Sequence, residues 1–461
     1  MPRIESKVMT RRTACGLIPG FAALRLFADA RPDSFRVYSD APRLFLRPQR
    51  LRLLRRERER RSLRWDQFET LWAGHAEFPE PGWAAALRYQ IAQEDEAGHR
   101  ALAWAAGPGS DVRQVALVAD WCAPLATEAP RRAITAKLRA AANGPTPRDL
   151  NGARDKALAA IVLSEQDQDA AERALTDVFE KFWMGAFLPA VRGARLRVAN
   201  ADACAMYELL HAFRDNLGFD LRETFPEWFK HYPILHIMAH YPPPFPGSEN
   251  EYRIPAEKNI AQNGPDLKKA SLSRAAELAL VAFDANAPET QLTQGFLMND
   301  RFLMRGTFGI TYELMWANPY QPGLSYYHIP FAQHDEIGGQ LFVRSSWDDD
   351  AAWIGFFDGQ LQLFKDGSAT RLDPNVTREP LDIEEATVFF ARAANRFRVP
   401  ARQADATDDV FIVGLEPRKA YHVEIDGREM YEDTADPGGI LFLPGLAGGA
   451  GVRFGPAPVL K

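Results

Sequence analysis

The hydrophobic period changes once along this chain, and that change limits what the chain can fold into. From residue 82 to about residue 284, apolar side chains recur at helical spacing. After about residue 338 they come in short strand-like runs separated by turn residues. All-helix followed by all-strand excludes alternating strand–helix units and predicts two segregated parts. The first packs helix on helix, and the second is a sandwich of antiparallel β-sheets. At 461 residues the chain exceeds what a single core serves well, so two or three domains are expected.

Within the helical part, Trp83, Leu87 and Ile91 recur at spacing four, and Leu102 with Trp104 extends that helix to the Gly107-Pro108 stop. Val112, Val115, Val118 and Cys122 mark the next, which ends at Pro124. A breaker over residues 143–147 separates the Ile134/Leu138 helix from the Leu158/Ile161 helix. Further helices carry Leu175 with Trp183, Met206 with Phe213, Ile234 with Met238, and Leu267 with Phe283. Residues 241–265 hold the run Pro242-Pro243-Pro244-Phe245-Pro246-Gly247, too long and proline-rich for a plain connector, and predict a functional loop or lid. In the second part, residues 341–344, 353–357, 361–364, 410–413, 421–425 and 440–443 are the strand candidates. Asp358-Gly359, Asp366-Gly367 and Asp426-Gly427 are hairpin signals, because their turns need positive φ.

A net charge of −6 argues against nucleic acid as the main partner. Three cysteines, Cys15, Cys122 and Cys204, cannot build a disulfide framework, so stability must come from burial. Arg11-Arg12, the apolar residues 17–27 and Ala28-Asp29-Ala30 have the layout of a cleavable export leader over residues 1–30. The competing reading is a misassigned start followed by an unstructured tail. Export places the mature chain in the periplasm or outside the cell. No later run approaches the ~18 apolar residues of a membrane span. Removing the leader leaves Cys122 and Cys204 as packing groups.

Residues 43–64 hold ten arginines among leucines. One reading is a solvated helix whose arginine stems lie over apolar surface; the other is a basic patch for a polyanion. The domain limits that follow are a leader over 1–30, a basic arm over 31–81, a helical domain over 82–335 and a β domain over 336–461.

Several stretches together resemble the heparinase II/III-like polysaccharide lyases. Ala41-Pro42-Arg43-Leu44-Phe45-Leu46 is similar to that family's opening arm. Leu117-Val118-Ala119-Asp120-Trp121, within residues 111–125, is similar to a helix of the family. Arg344-Ser345-Ser346-Trp347 and Ala351-Ala352-Trp353 look like the first strands of its β domain. The resemblance implies an incomplete (α/α) toroid joined to an antiparallel β-sandwich. It also implies β-elimination across a uronic-acid glycosidic bond, with an acidic polysaccharide or oligosaccharide as partner. That reaction needs the substrate carboxylate neutralised, a base for the C5 proton and an acid for the leaving oxygen. It requires no redox cofactor, and we assign no cofactor and no metal from the sequence.

Tyr207, His211 and Arg214 stand at i, i+4 and i+7, so a helix puts a phenol, an imidazole and a guanidinium on one face. Tyr207 stands roughly where the family places a helix-borne tyrosine, which makes it the expected acid or base. Asn151 opens a helix where the family often has an asparagine near the substrate carboxylate, although asparagine is also a favoured cap. Asn216 follows the same helix as Tyr207. Trp316, Asn318, Tyr326, Tyr327 and His328 belong to the densest aromatic and polar cluster, at the junction of the two parts, where clefts form. Arg305 just before it is a candidate for an acidic substrate. Each of these has a packing alternative: core residues with satisfied polar tips, a surface ion pair, or an interdomain plug. After Trp353 the chain departs from the family pattern, reading Ile354 to Leu361 without the usual histidine, so His328 and His334 are the nearest candidates for its role.

His236 and His240 have the spacing of a helical metal pair, but they lack the glutamate of H-E-x-x-H and no third ligand is indicated, so packing is the preferred reading. Asp348-Asp349-Asp350 reads as a solvated turn rather than a calcium loop. Two rivals to the lyase stand: a non-catalytic glycan-binding or envelope protein, and a toroid glycoside hydrolase using Glu208 and Asp215. Glu208 turns away from Tyr207 on the helix, which counts against hydrolysis.

Overall fold

Thirteen helices precede the first sheet of the β part among the described residues, and their apolar stripes account for how they pack. A computed structural model describes residues 34–247, 250–260, 264–299, 303–373, 375–384, 386–401 and 406–457. The leader expected over residues 1–30 lies outside them. The helices are α1 (Pro48–Glu59), α2 (Leu63–Ala73), α3 (Pro81–Ala92), α4 (Asp95–Ala106), α5 (Val112–Trp121), α6 (Glu128–Ala142) and α7 (Leu150–Leu163). Then come α8 (Gln168–Thr176), α9 (Ala203–Leu217), α10 (Pro226–Met238), α11 (Leu267–Phe283), α12 (Pro288–Asn299) and α13 (Ile310–Trp316). From α8 the chain runs on through a π-helical stretch, Asp177–Phe187, into Leu188–Arg192.

Local chemistry sets the helix ends. Ser62, Asp111, Asp149, Asp167 and Asp266 each accept a backbone N–H in the first turn of the helix that follows. Gly218, at φ 65°, closes α9 in the left-handed region. The segment from Trp83 to Trp104 forms two helices rather than the expected one. Gln93 takes φ 59° and ends α3, and Asp95 and Glu96 fill the first turn of α4.

Alternate helices pack in succession: α3 on α5, α5 on α7, α7 on α9, α9 on α11 and α11 on α13, with α13 returning to α3. These inner helices are buried nearly all round, as α9 is from Ala203 to Phe213. Outside them α4 packs on α3, α5 and α6, and α6 on α5 and α7. The core holds Trp83, Trp121, Trp183 and Trp316. Cys122 and Cys204 are free and buried within it.

The expected basic arm is not separate. Phe35, Leu44, Phe45 and Leu46 are buried in the helical core, and the Trp121 indole N–H donates to Leu44 O at 2.9 Å. The described residues from Phe35 onward form one compact unit.

The β part contains three sheets. The first is a meander of β3 (Ala332–Asp335), β4 (Gln340–Arg344), β5 (Trp353–Phe357), β6 (Gln360–Lys365) and β7 (Ser368–Leu372). The second has the order β14 (Leu441–Ala447), β11 (Thr407–Val413), β9 (Ala386–Phe390) and β8 (Leu381–Ile383). The third has the order β10 (Arg396–Arg398), β15 (Gly451–Pro456), β12 (Ala420–Ile425) and β13 (Glu429–Thr434). The three Asp-Gly pairs all take positive φ at both residues, as their hairpins require.

Two features depart from a plain antiparallel sandwich. First, β9 and β11 run parallel, with Val388 opposite Phe411. Second, the sheets stack three deep. Val343, Ile354 and Phe356 of the first sheet meet Val388, Phe390 and Phe411 of the second. The opposite face of the second, Phe389, Val410 and Ile412, meets Val423, Val452 and Phe454 of the third. The remaining face of the first sheet, with Phe342, Trp353, Phe357 and Phe364, lies on Ile234, Leu235, Ile237 and Met238 of α10 and its C-terminal end. The cause is visible in β5 (WIGFF) and β9 (ATVFF), which are apolar on both faces and so need cover on both sides.

The described residues of the proline-rich segment clasp the first sheet, and Pro244, Glu251 and Arg253 also line a small cavity. The segment carries the short hairpin β1 (Phe245–Pro246) with β2 (Glu251–Tyr252). Tyr241 packs its ring on Trp353 and Phe364 and donates its hydroxyl to Gln362 Oε1 at 2.8 Å. Gln360 and Gln362 donate in turn to Lys258 O and Glu257 O. Among the described residues no helix is long and apolar enough to cross a membrane.

Candidate binding cleft

A helix leaves its last carbonyls without intrahelical partners and carries partial negative charge at that end. Several inner helices point those ends at the arginine-rich segment. Arg43 donates to Ile161 O of α7 at 3.4 Å, Arg55 to Gln90 O of α3 at 3.2 Å, and Arg50 to Ala317 O just beyond α13 at 3.3 Å. Arg47 pairs with Asp215 in the last turn of α9 at 3.0 Å. Four of the ten arginines, Arg43, Arg47, Arg50 and Arg55, thus serve these helix ends.

Between α1 and these helix ends lies a cavity of about 720 Å³. Phe45, Arg47, Arg50, Arg52 and Arg56 form one side. His211, Arg214 and Asp215 of α9, Phe283 with Asp284, and Trp316, Asn318 and Tyr320 form the other. Its floor is aromatic: the His211 ring lies 4.6 Å from Trp316, and Phe45 lies 5.3 Å from Trp316. The Trp316 indole N–H is buried without a protein partner. His211 Nε2 faces Ala279 O at 3.0 Å and Nδ1 faces Arg214 Nη2 at 3.1 Å. That network assigns the ring proton to Nε2, with Nδ1 accepting. Burial pushes the imidazole down, so it is neutral at physiological pH.

Five guanidiniums line the cleft against two carboxylates. Asp215 is bound by Arg214 at 2.8 Å as well as by Arg47, and Asp284 by Arg222 at 3.0 Å. Arg50, Arg52 and Arg56 have no carboxylate at ion-pair distance among the described residues. At the rim, Tyr320 is 57% exposed and accepts from Arg60 through its hydroxyl at 3.3 Å.

The anticipated constellation is assembled only in part. His211, Arg214, Trp316 and Asn318 do meet in this cleft. Tyr207 does not join them; it lines a second cavity of about 380 Å³ with Asp220, Arg222 and Lys230. The helical face is as expected, but the Phe283 ring stands between, with Arg214 3.9 Å from its centre and Arg222 4.4 Å. Burial also drives the Tyr207 phenol well above its ordinary range. Tyr326 and Tyr327 line a third cavity of about 190 Å³ with Arg253 and Trp347, and His328 is exposed outside all three. Asn216 is buried and committed to structure, donating to Ala212 O at 2.9 Å and accepting from Ser39. Asn151 is exposed at the start of α7, whose cap is Asp149, and lines none of these cavities. Arg305 is exposed, and its carbonyl accepts from Gln67. His334 lies in the β part, 2.9 Å from Asp436. Glu208 and Asp215 occupy different environments, Glu208 being enclosed by Arg113 and Arg154.

Cleft residues not singled out from sequence are Phe45, Phe283, Tyr320 and the individual arginines Arg47, Arg50, Arg52 and Arg56. Their signal was the arginine run itself: positions 49, 52, 53 and 56 fall on one helical face of α1. Compared with known proteins, the chain matches no protein-family model and no curated protein.

Proposed function

We propose that this chain binds an acidic glycan in the arginine-lined cleft, on an (α/α) toroid like that of the heparinase II/III-like lyases it resembles. The closed succession α3-α5-α7-α9-α11-α13, with α4 and α6 outside it, supports the toroid. The observation that carries the binding reading is the pair Arg52 and Arg56, exposed and without carboxylate partners among the described residues, beside an aromatic floor. Guanidiniums bind carboxylates or sulfates through paired N–H donors, while aromatic rings take the apolar faces of sugars. A volume of about 720 Å³ suits a short oligosaccharide. A leader over residues 1–30 would bring the cleft to extracellular glycans.

A second reading, β-elimination, is favoured by neutral His211 and the Tyr320 phenol lining the same cavity. In that reaction an arginine neutralises the uronate and His211 Nδ1, released from Arg214, takes the C5 proton. The electron pair forms the C4–C5 double bond as the C4–O bond breaks, and Tyr320 protonates the leaving oxygen.

Calorimetry of the full chain with oligouronates and sulfated oligosaccharides tests binding. An Arg52→Ala/Arg56→Ala double variant should weaken it at least tenfold, roughly 1.4 kcal/mol. Failure of every acidic glycan to bind would overturn the proposal. Ultraviolet absorbance of an unsaturated product tests the second reading. Tyr320→Phe should abolish that absorbance and retain binding, whereas Tyr207→Phe should leave both unchanged.

A further inference from the structure

Where α10 meets α11, four polar side chains converge outside the cavities described above. His236 and His240 stand four residues apart at the C-terminal end of α10, and Ser273 and Glu277 stand four residues apart on α11. Two such pairs on facing helices bring side chains to one point. His236 Nε2 lies 3.4 Å from Glu277 Oε1, and His240 Nε2 lies 3.5 Å from the same oxygen. Ser273 Oγ lies 3.2 Å from His236 Nε2 and 2.9 Å from His240 Nε2. We propose that His236, His240 and Glu277, completed by Ser273, hold a structural zinc ion that fastens α10 to α11.

The carboxylate–imidazole geometry favours an ion, while Ser273 Oγ stands at hydrogen-bond distance from both Nε2 atoms and would draw back to join the shell. Ligands about 2.0–2.1 Å from a tetrahedral zinc lie roughly 3.3–3.4 Å from one another. The carboxylate–imidazole separations match that edge and exceed the roughly 2.7–3.2 Å of a good hydrogen bond. A Ser–His–Glu relay is excluded by the ring atoms, since a relay engages both nitrogens of one imidazole. Here the hydroxyl and the carboxylate both face Nε2. The outer contact of His240 suits ligation: Nδ1 faces Ile237 O at 3.2 Å, which holds a proton on Nδ1 and leaves a lone pair on Nε2, with Asn200 Nδ2 3.4 Å from that nitrogen. His236 Nδ1 is buried with no protein partner. Imidazole nitrogens with one carboxylate select zinc over calcium or magnesium, which take oxygen shells.

Enclosure makes the role structural. His236, His240, Ser273 and Glu277 are all buried, and none lines the cavities described above. The position matters because residues 241–265 leave directly after His240 and return just before α11. The ion therefore ties both ends of the clasp. It also steadies Met238, whose carbonyl accepts the Trp353 indole N–H of β5 at 2.8 Å.

Elemental analysis of the purified full chain should find roughly one zinc per chain. Cobalt substitution should give the intense visible bands of a tetrahedral site. Chelation should lower Tm by several degrees, and zinc, but not magnesium or calcium, should restore it. His236→Gln/His240→Gln should lose the metal. Two outcomes overturn the proposal: wild-type chain that neither retains zinc nor gains Tm when zinc is added, or full zinc occupancy in the double histidine variant.

Discussion

The two ends of the inner helices are built from the same ingredients, arginine and carboxylate, with opposite results. At the end where the inner helices begin, Arg113 of α5 bonds Glu208 of α9 at 2.6 Å and Glu80 at 2.9 Å, and Arg154 of α7 bonds Glu208 at 3.2 Å. Tyr312 closes the set on Glu80 at 3.2 Å, and Arg113 lies 4.3 Å from the centre of the Trp83 ring. Arg113 and Glu208 are buried, and each charge faces an opposite one. At the other end the helices finish, and guanidiniums meet carbonyls, solvent and, in the cleft, two carboxylates. Helix dipoles favour Glu80 and Glu208 at the first end and the cleft arginines at the second, while Arg113, Arg154, Asp215 and Asp284 are held against the dipole by their ion-pair partners. Whether an arginine belongs to scaffold or site is therefore decided by its partners.

The largest test breaks the closed end. Glu208→Gln leaves Arg113 and Arg154 buried without their shared anion and should cost about 3–5 kcal/mol in urea unfolding, because a severed buried pair leaves uncompensated charge. At the open end, burial alone would push the Asp215 carboxyl up, but the imidazolium that His211 becomes in acid and the guanidinium of Arg214 outweigh it and hold it at about 2. A carboxyl below its ordinary value stabilises the fold above about pH 4, and that contribution is lost as pH falls towards 2. An acid titration of stability should show about 2 kcal/mol lost over that window, and Asp215→Asn should flatten it. The smallest test separates sequence neighbours. Arg55→Ala removes two bonds to Gln90 O and should cost about 1 kcal/mol of stability without changing glycan affinity. Arg56→Ala should change stability by less than about 0.5 kcal/mol while weakening binding. The same phenotype from both would erase the distinction between scaffold and site arginines.

How much was legible follows from distance along the chain. The helical-to-strand switch and all three Asp-Gly hairpins depend on local periodicity and local φ, so they were readable. The face shared by Tyr207, His211 and Arg214 was also readable, since it is a property of one helix. Its division into two cavities was not, because Phe283 is supplied by another helix about seventy residues on. Glu277 was hidden as a companion of His236 and His240 for the same reason. Strands apolar on both faces need cover on both sides, but which layers cover them depends on a crossover that places β10 in the third sheet, between β9 and its parallel neighbour β11.

The first sheet has a consequence for how such a chain can be inherited or cut. Phe342, Trp353, Phe357 and Phe364 are covered by helical residues, so severing the chain before β3 would bare an aromatic face on one fragment and α10 on the other. Each fragment would be sticky by itself. The halves therefore cannot be traded as interchangeable modules: recombination that swaps one must supply a matching surface on the other.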